Sequence, residues 1–157
     1  MTVPVGGPML FGKRKRIVKR ILIVEDEPLV AFDNEVTLAD LGYKVVATLD
    51  NFDDAIALIG REQIDLILSD VRLTGKHTGV DLAKAAKGHG VPVLFSTGTK
   101  LPEDAASVAV GCLSKPYTER QLRDALDNVD RLLGGEKVKP SKGLELYDPD
   151  DPEGTPG

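Results

Sequence analysis

The sequence predicts an α/β domain in which a parallel sheet is covered by helices on both faces, and three observations carry that expectation. Short apolar runs, Ile21-Leu22-Ile23-Val24, Ile64 through Ser69 and Val91 through Ser96, lack strict alternation of apolar and polar residues. That is the habit of strands buried on both sides. Segments with helical spacing lie between the runs. The runs also stop on groups that carry chemistry: Glu25-Asp26-Glu27 after the first, Asp70 after the second, Thr97 after the third, and Lys115-Pro116 after Gly111-Cys112-Leu113-Ser114. In open parallel sheets, reactive groups collect beyond the carboxyl ends of the strands.

The elements follow in order. Pro28 suits a first helical turn, Leu29, Phe32, Val36 and Ala39 keep one face, and Gly42 supplies the stop. A strand from Lys44 to Thr48 precedes a helix capped by Asp50 or Asn51, with Phe52, Ala55, Ile56 and Ile59 at helical spacing and Gly60 after them. The strand that delivers Asp70 leads into a polar loop from Val71 to Thr78, and a third helix opens at Gly79 and ends near Gly88 and Gly90. After Thr97 the stretch Thr99 to Asp104 leaves room only for a short, loosely held fourth helix. The last helix is strongly written: Thr118 and Gln121 form a capping box, Leu122, Ala125, Leu126, Val129, Leu132 and Leu133 share a face, and Gly134-Gly135 end it.

If these strands lie parallel and side by side, one crevice receives two or three carboxylates, Asp70, a hydroxyl and an ammonium. Converging carboxylates repel one another unless a hard cation lies between them, and Mg²⁺ takes oxygen ligands while keeping several waters. A cation, a hydroxyl and a Lys beside Asp70 supply what a phosphoryl group needs around its oxygens. A carboxylate is a competent nucleophile toward phosphorus, which gives Asp70 that role.

The segments ILIVEDEP, LILSDV, PVLFSTG and LSKPY, in this order, resemble the receiver domain of bacterial two-component response regulators over roughly residues 18–133. The resemblance implies Glu25 and Asp26 as the acidic pair, Asp70 as phosphoacceptor, Thr97 as the hydroxyl that contacts the phosphoryl group, and Lys115 as its ammonium. It also implies Mg²⁺ held by Glu25, Asp26, Asp70 and the backbone carbonyl of Arg72, and a cis Lys115-Pro116 bond. The implied fold is a flavodoxin-like three-layer sandwich, a five-stranded parallel sheet of order 2-1-3-4-5 with five helices. The run Phe95-Ser96-Thr97-Gly98 looks like the Phe-Ala-Thr-Gly variant of a subgroup of single-domain receivers, some linked to stress signalling. Two positions depart from the pattern. No Pro follows Asp70 by a few residues, where Arg72-Leu73-Thr74-Gly75 stands. Cys112 occupies the place of the aromatic, three residues before the Lys, that follows the Thr inward in the family; the expected readout is therefore rearrangement of residues 99–110.

The boundaries expected are a basic, flexible arm over 1–18, the receiver over 19–134, and an acidic, Pro/Gly-rich disordered tail over 135–157. The 157 residues carry a net charge of −5, with bases and no acids in the first twenty positions. An acidic domain is a poor match for nucleic acid. The first residues do not form a signal peptide, since their charges follow the weakly apolar part. No apolar run approaches the ~20 residues of a membrane span. The lone Cys112 excludes an internal disulfide and fits a reducing cytoplasm. His77 and His89 lie in Gly-containing loops without partners at ligand spacing. The 24 residues after position 133 are too few for a DNA-binding or catalytic output domain, given that domains rarely fall below about 50 residues. The expected function is thus a stand-alone response regulator, not an enzyme, that takes phosphate from a histidine kinase or histidine phosphotransfer protein and signals to a downstream protein target. A phosphohydrolase using Asp70 and a pseudo-receiver binding module are the alternatives; the first lacks an acid two positions after Asp70, where Arg72 stands.

Overall fold

The computed structural model describes residues 15–147. Its elements are β1 (Arg20–Val24), α1 (Pro28–Asp40), β2 (Lys44–Leu49), α2 (Phe52–Ile59), β3 (Leu66–Asp70), α3 (Gly79–Gly88), β4 (Val93–Thr97), β5 (Gly111–Ser114), α4 (Glu119–Leu133) and β6 (Leu144–Leu146). The sheet order is β2-β1-β3-β4-β5-β6. The first five strands run parallel and β6 joins β5 antiparallel. This is the flavodoxin-like winding, with the reversal of strand order between β1 and β3.

Side-chain alternation in the central strands divides the core into two layers. Leu22, Val24, Ile67 and Phe95 face Ala55 and Ile59 of α2 and Leu82, Ala83 and Ala86 of α3. Ile21, Ile23, Leu66, Leu68 and Leu94 face Leu38 of α1 and Leu122, Ala125, Leu126 and Val129 of α4. Both sheet faces are therefore covered, which explains why the strands read as continuous apolar runs. Local signals fix the helix starts. Asn51 caps α2 by accepting from Asp54 N, Thr78 and Asp81 close a capping box on α3, and Thr118 and Gln121 do so on α4.

Four expectations need correction. The segment expected to hold a fourth helix, 99–110, contains turns instead, although Ala105 is fully buried and pins it to the core; four helices are present among the described residues. Leu29, Phe32 and Val36 do not face the core: they are exposed, while Ala31, Asn34, Thr37 and Leu38 form the buried side of α1. Residues 135–147 are not a disordered tail, because β6 adds a sixth strand with Leu144 and Tyr147 buried; the rest of the tail lies outside the described residues. Residues 15–18 of the expected flexible arm are held in place. Asp130 Oδ2 accepts from Ile17 N (3.0 Å) and Val18 N (2.8 Å), and Arg16 lies 4.2 Å over the Tyr43 ring. The arm before residue 15 lies outside the described residues.

Candidate functional site

The carboxyl ends of β1, β3, β4 and β5 open on one cavity of about 670 Å³, lined among others by Asp70, Arg72, Thr97, Lys115, Asn34 and Tyr117. Asp70 is the last residue of β3 and only 7% exposed. Its position is fixed from behind by Gly79, the first residue of α3, whose N–H donates to Val71 O at 2.7 Å. A Cβ on Gly79 would overlap the Asp70 carbonyl oxygen and lie 2.8 Å from Val71 Cα, so only glycine permits this approach of helix to strand.

The two Asp70 carboxylate oxygens are used separately. Oδ1 accepts from Arg72 N at 3.1 Å, and Oδ2 accepts from Lys115 Nζ at 3.1 Å. The same ammonium donates to Glu25 Oε1 at 2.8 Å, while Glu25 Oε2 accepts from Glu27 N at 3.1 Å. Glu25 is buried, and burial pushes its carboxyl up; the hydrogen bond from Lys115 works against that. Burial would lower Lys115, but its hydrogen bonds to Glu25 and Asp70 outweigh that and hold the ammonium above its ordinary value. Lys115 reaches the crevice from a cis Lys115-Pro116 peptide, and its backbone N–H donates to Thr97 O at 2.9 Å.

Glu25, Asp26 and Asp70 each offer an oxygen, and these atoms all lie within 4.8 Å of one another. An all-carboxylate donor set at that spacing fits a hard divalent cation of the Mg²⁺ type. Thr97, at the end of β4, is 6% exposed and lines the same cavity. Its hydroxyl is turned to Thr99, accepting from Thr99 N at 3.2 Å and sharing a hydrogen bond with Thr99 Oγ1 at 3.1 Å. The structure thus brings together Glu25, Asp26, Asp70, Arg72, Thr97 and Lys115.

Three participants escaped the sequence. Asn34 and Tyr117 are joined by a hydrogen bond from Tyr117 Oη to Asn34 Oδ1 at 2.9 Å, tying α1 to the loop that carries Lys115. Asn34 Nδ2 is buried with no partner. The third is Gly79. An Asn on the inward side of a helix was the available signal for the first pair, and it was masked by the assignment of Leu29, Phe32 and Val36 to that side.

Comparison with known proteins agrees with this geometry. Residues 21–127 match the family model of the response regulator receiver domain. The chain is 30% identical over 118 residues to the transcriptional regulatory protein MalR of Bacillus subtilis, covering 71% of this chain and 50% of MalR. It is 35% identical over 79 residues to the phyllosphere-induced regulator PhyR of Methylorubrum extorquens, covering 49% of this chain and 30% of PhyR. The chain thus spans half or less of the length of these curated relatives. Among solved structures, the signal receiver domain of a modulated diguanylate cyclase from Desulfovibrio desulfuricans superposes with a TM-score of 0.69 at 30% identity, over 76% of this chain and 99% of that one. The chemotaxis response regulator CheY4 of Vibrio cholerae does so with 0.64 at 28%, over 71% and 98%. The chain belongs to the response regulator receiver domain family.

Proposed function

We propose that this receiver accepts a phosphoryl group on Asp70 from the phosphohistidine of a histidine kinase or phosphotransfer protein, and passes the signal on by protein contact. The observation that carries this reading is the meeting of Lys115 Nζ with both Asp70 Oδ2 and Glu25 Oε1 at the mouth of a cavity that Thr97 also lines. In the transfer, an Asp70 oxygen attacks phosphorus in line, the P–N bond breaks, and the departing imidazole nitrogen keeps the bonding electron pair. The chain's own residues promote this transfer and the later hydrolysis, in which water attacks phosphorus, inorganic phosphate leaves and the Asp70 carboxylate is restored. Glu25, Asp26, Asp70 and the Arg72 carbonyl would hold a Mg²⁺ ion, which would neutralise charge on the phosphoryl oxygens. Lys115 meets another of those oxygens, and the Thr97 hydroxyl donates to a third by turning away from Thr99. The Arg72 N–H holds Asp70 Oδ1 and orients the carboxylate.

The donor has a surface beside the crevice: Leu29, Phe32 and Val36 are 81, 62 and 42% exposed and form one stripe of α1. Spacing of i, i+3, i+7 is what an amphipathic partner helix meets. Asp33 and Asn34 of the same helix line the crevice, so a helix laid on the stripe holds its histidine close to Asp70. The buried free thiol of Cys112 suits the reducing cytoplasm in which we place this step. Incubation with a donor domain carrying labelled phosphohistidine tests the reading. Label should move to the wild-type chain and not to Asp70→Asn; equal labelling of both refutes it.

A further inference from the structure

Where β5 would be the edge of the sheet, β6 lies along it, pairing Leu146, Glu145 and Leu144 with Gly111, Cys112 and Leu113. Beyond the pairing, Ser114 N donates to Gly143 O and Tyr147 N to Val110 O, both at 2.9 Å. An uncovered strand edge is a template for an extended segment of another chain, and here the chain's own residues take that place. Gly111 is shaped to this occupant, since a Cβ there would overlap Glu145 O and lie 3.2 Å from Leu146 Cδ2. The attachment is small: three paired residues, with Leu144 inserted on one face of the sheet and Tyr147 on the other. Short elements of this kind open locally at little cost compared with global unfolding.

This cover is joined physically to the phosphorylation crevice. A cavity of about 530 Å³ separates them, lined by Thr97, Thr99, Leu101, Cys112, Leu144 and Glu145 among others. The segment 99–110 starts at the Thr99 that holds the Thr97 hydroxyl and ends at the Val110 whose carbonyl holds Tyr147. It has no helix of its own, and Ala105 anchors its middle to the core. The β5 residues that border the space beside Thr97, Cys112 and Ser114, are both small and leave it open.

We propose that β6 is an intramolecular cover of the β5 edge, released when Thr97 leaves Thr99 for the phosphoryl group, and that the opened edge receives an extended segment of the target protein. The fitting segment runs antiparallel to β5 and carries apolar side chains at alternate positions, as Leu144 and Leu146 do, with its backbone close over Gly111. This inference rests on the proposed phosphorylation of Asp70. Phosphorylation shifts the cover only by the difference in free energy it makes between docked and released forms. Reciprocity then requires that eviction of β6 favour phosphorylation.

The test uses the full chain with Mg²⁺ and beryllofluoride as phosphoryl mimic, read by hydrogen exchange and by alkylation of Cys112, the sole cysteine. Loading should raise exchange at the Ser114 and Tyr147 amides and the Cys112 alkylation rate by on the order of tenfold. Gly111→Ala should give fast alkylation without beryllofluoride and take up more phosphate from acetyl phosphate than wild type. Leu144→Asp, which attacks the cover from its own side, should do the same. If the Asp70 crevice gains protection while Ser114, Tyr147 and Cys112 are unchanged, the cover is uncoupled and the inference falls. If Asp70 takes no load at all, the proposed function falls and the inference with it.

Discussion

Gly79→Ala separates the effect of one methyl group on stability from its effect on the site. The added Cβ meets two backbone groups, the Asp70 carbonyl oxygen and Val71 Cα, and neither can swing aside as a side-chain tip would. Relief requires α3 to move off the end of β3, breaking the Gly79 N to Val71 O hydrogen bond. Overpacking of this kind costs up to ~3 kcal/mol. For a domain of this size that corresponds to a fall in Tm on the order of 10 °C. Because the strand end that moves carries Asp70, the phosphorylation rate should fall by roughly 100-fold, the cost of about 1 Å of misplacement at a reacting group. Gly88→Ala, at the other end of the same helix, is the control: its Cβ meets nothing within 4 Å. It should stabilise by about 0.4–1 kcal/mol through the unfolded state alone. Urea midpoints and acetyl phosphate labelling of the two variants decide the matter. If Gly79→Ala keeps wild-type midpoint and labelling rate, the claim that this close approach positions Asp70 is wrong.

Lys115→Met removes the ammonium shared by Glu25 and Asp70 and should cost about 1–3 kcal/mol at neutral pH. Glu25 is already raised by burial, and a carboxyl whose folded pKa exceeds its unfolded one contributes fully below the unfolded value of 4.5 and loses that contribution as pH rises. The deficit of the variant should therefore shrink on acidification toward that pH, and urea midpoints across pH read it; a deficit that grows on acidification contradicts the assignment. Burial, then the charges of Glu145 and Asp70, push the Cys112 thiol up to about 12, so iodoacetamide should modify the unloaded protein far more slowly at pH 8 than its urea-unfolded form. Equal rates would show that the thiol is not enclosed. Phe32→Asp should raise the KM for a phosphohistidine donor by roughly tenfold to 100-fold, the equivalent of about 1.5–3 kcal/mol of lost burial, and leave acetyl phosphate labelling unchanged.

The sheet and the site were legible because they are written locally. Each buried strand is an apolar run, and each strand end shows its reactive residue at the junction with a loop. Helix starts were equally readable at Asn51, Thr78 and Thr118, where one side chain answers one backbone N–H. What escaped depended on distant partners. On α1, Leu29, Phe32 and Val36 keep helical spacing as well as the residues that are in fact buried, and only the position of β1 and α4 selects between the two faces. The segment 99–110 contains several helix formers, but Ala105 is drawn into the core and the Val110 N–H is taken by Val93 O, and these contacts hold it in turns. Residues 144–147 read as part of a polar tail because Glu145 and the acids after Tyr147 dominate the composition. Their partner is β5, some thirty residues earlier, and the Gly111 that admits them looked like a strand's first residue and nothing more.

The central claim is that Asp70 takes the phosphoryl group in a crevice completed by a divalent cation. Intact mass after treatment with acetyl phosphate and Mg²⁺ tests it most directly, with peptide mapping of the adduct. A single phosphate adduct on Asp70, absent in Asp70→Asn and suppressed by EDTA, is the result predicted. An adduct that survives Asp70→Asn, or that forms equally well in EDTA, contradicts it.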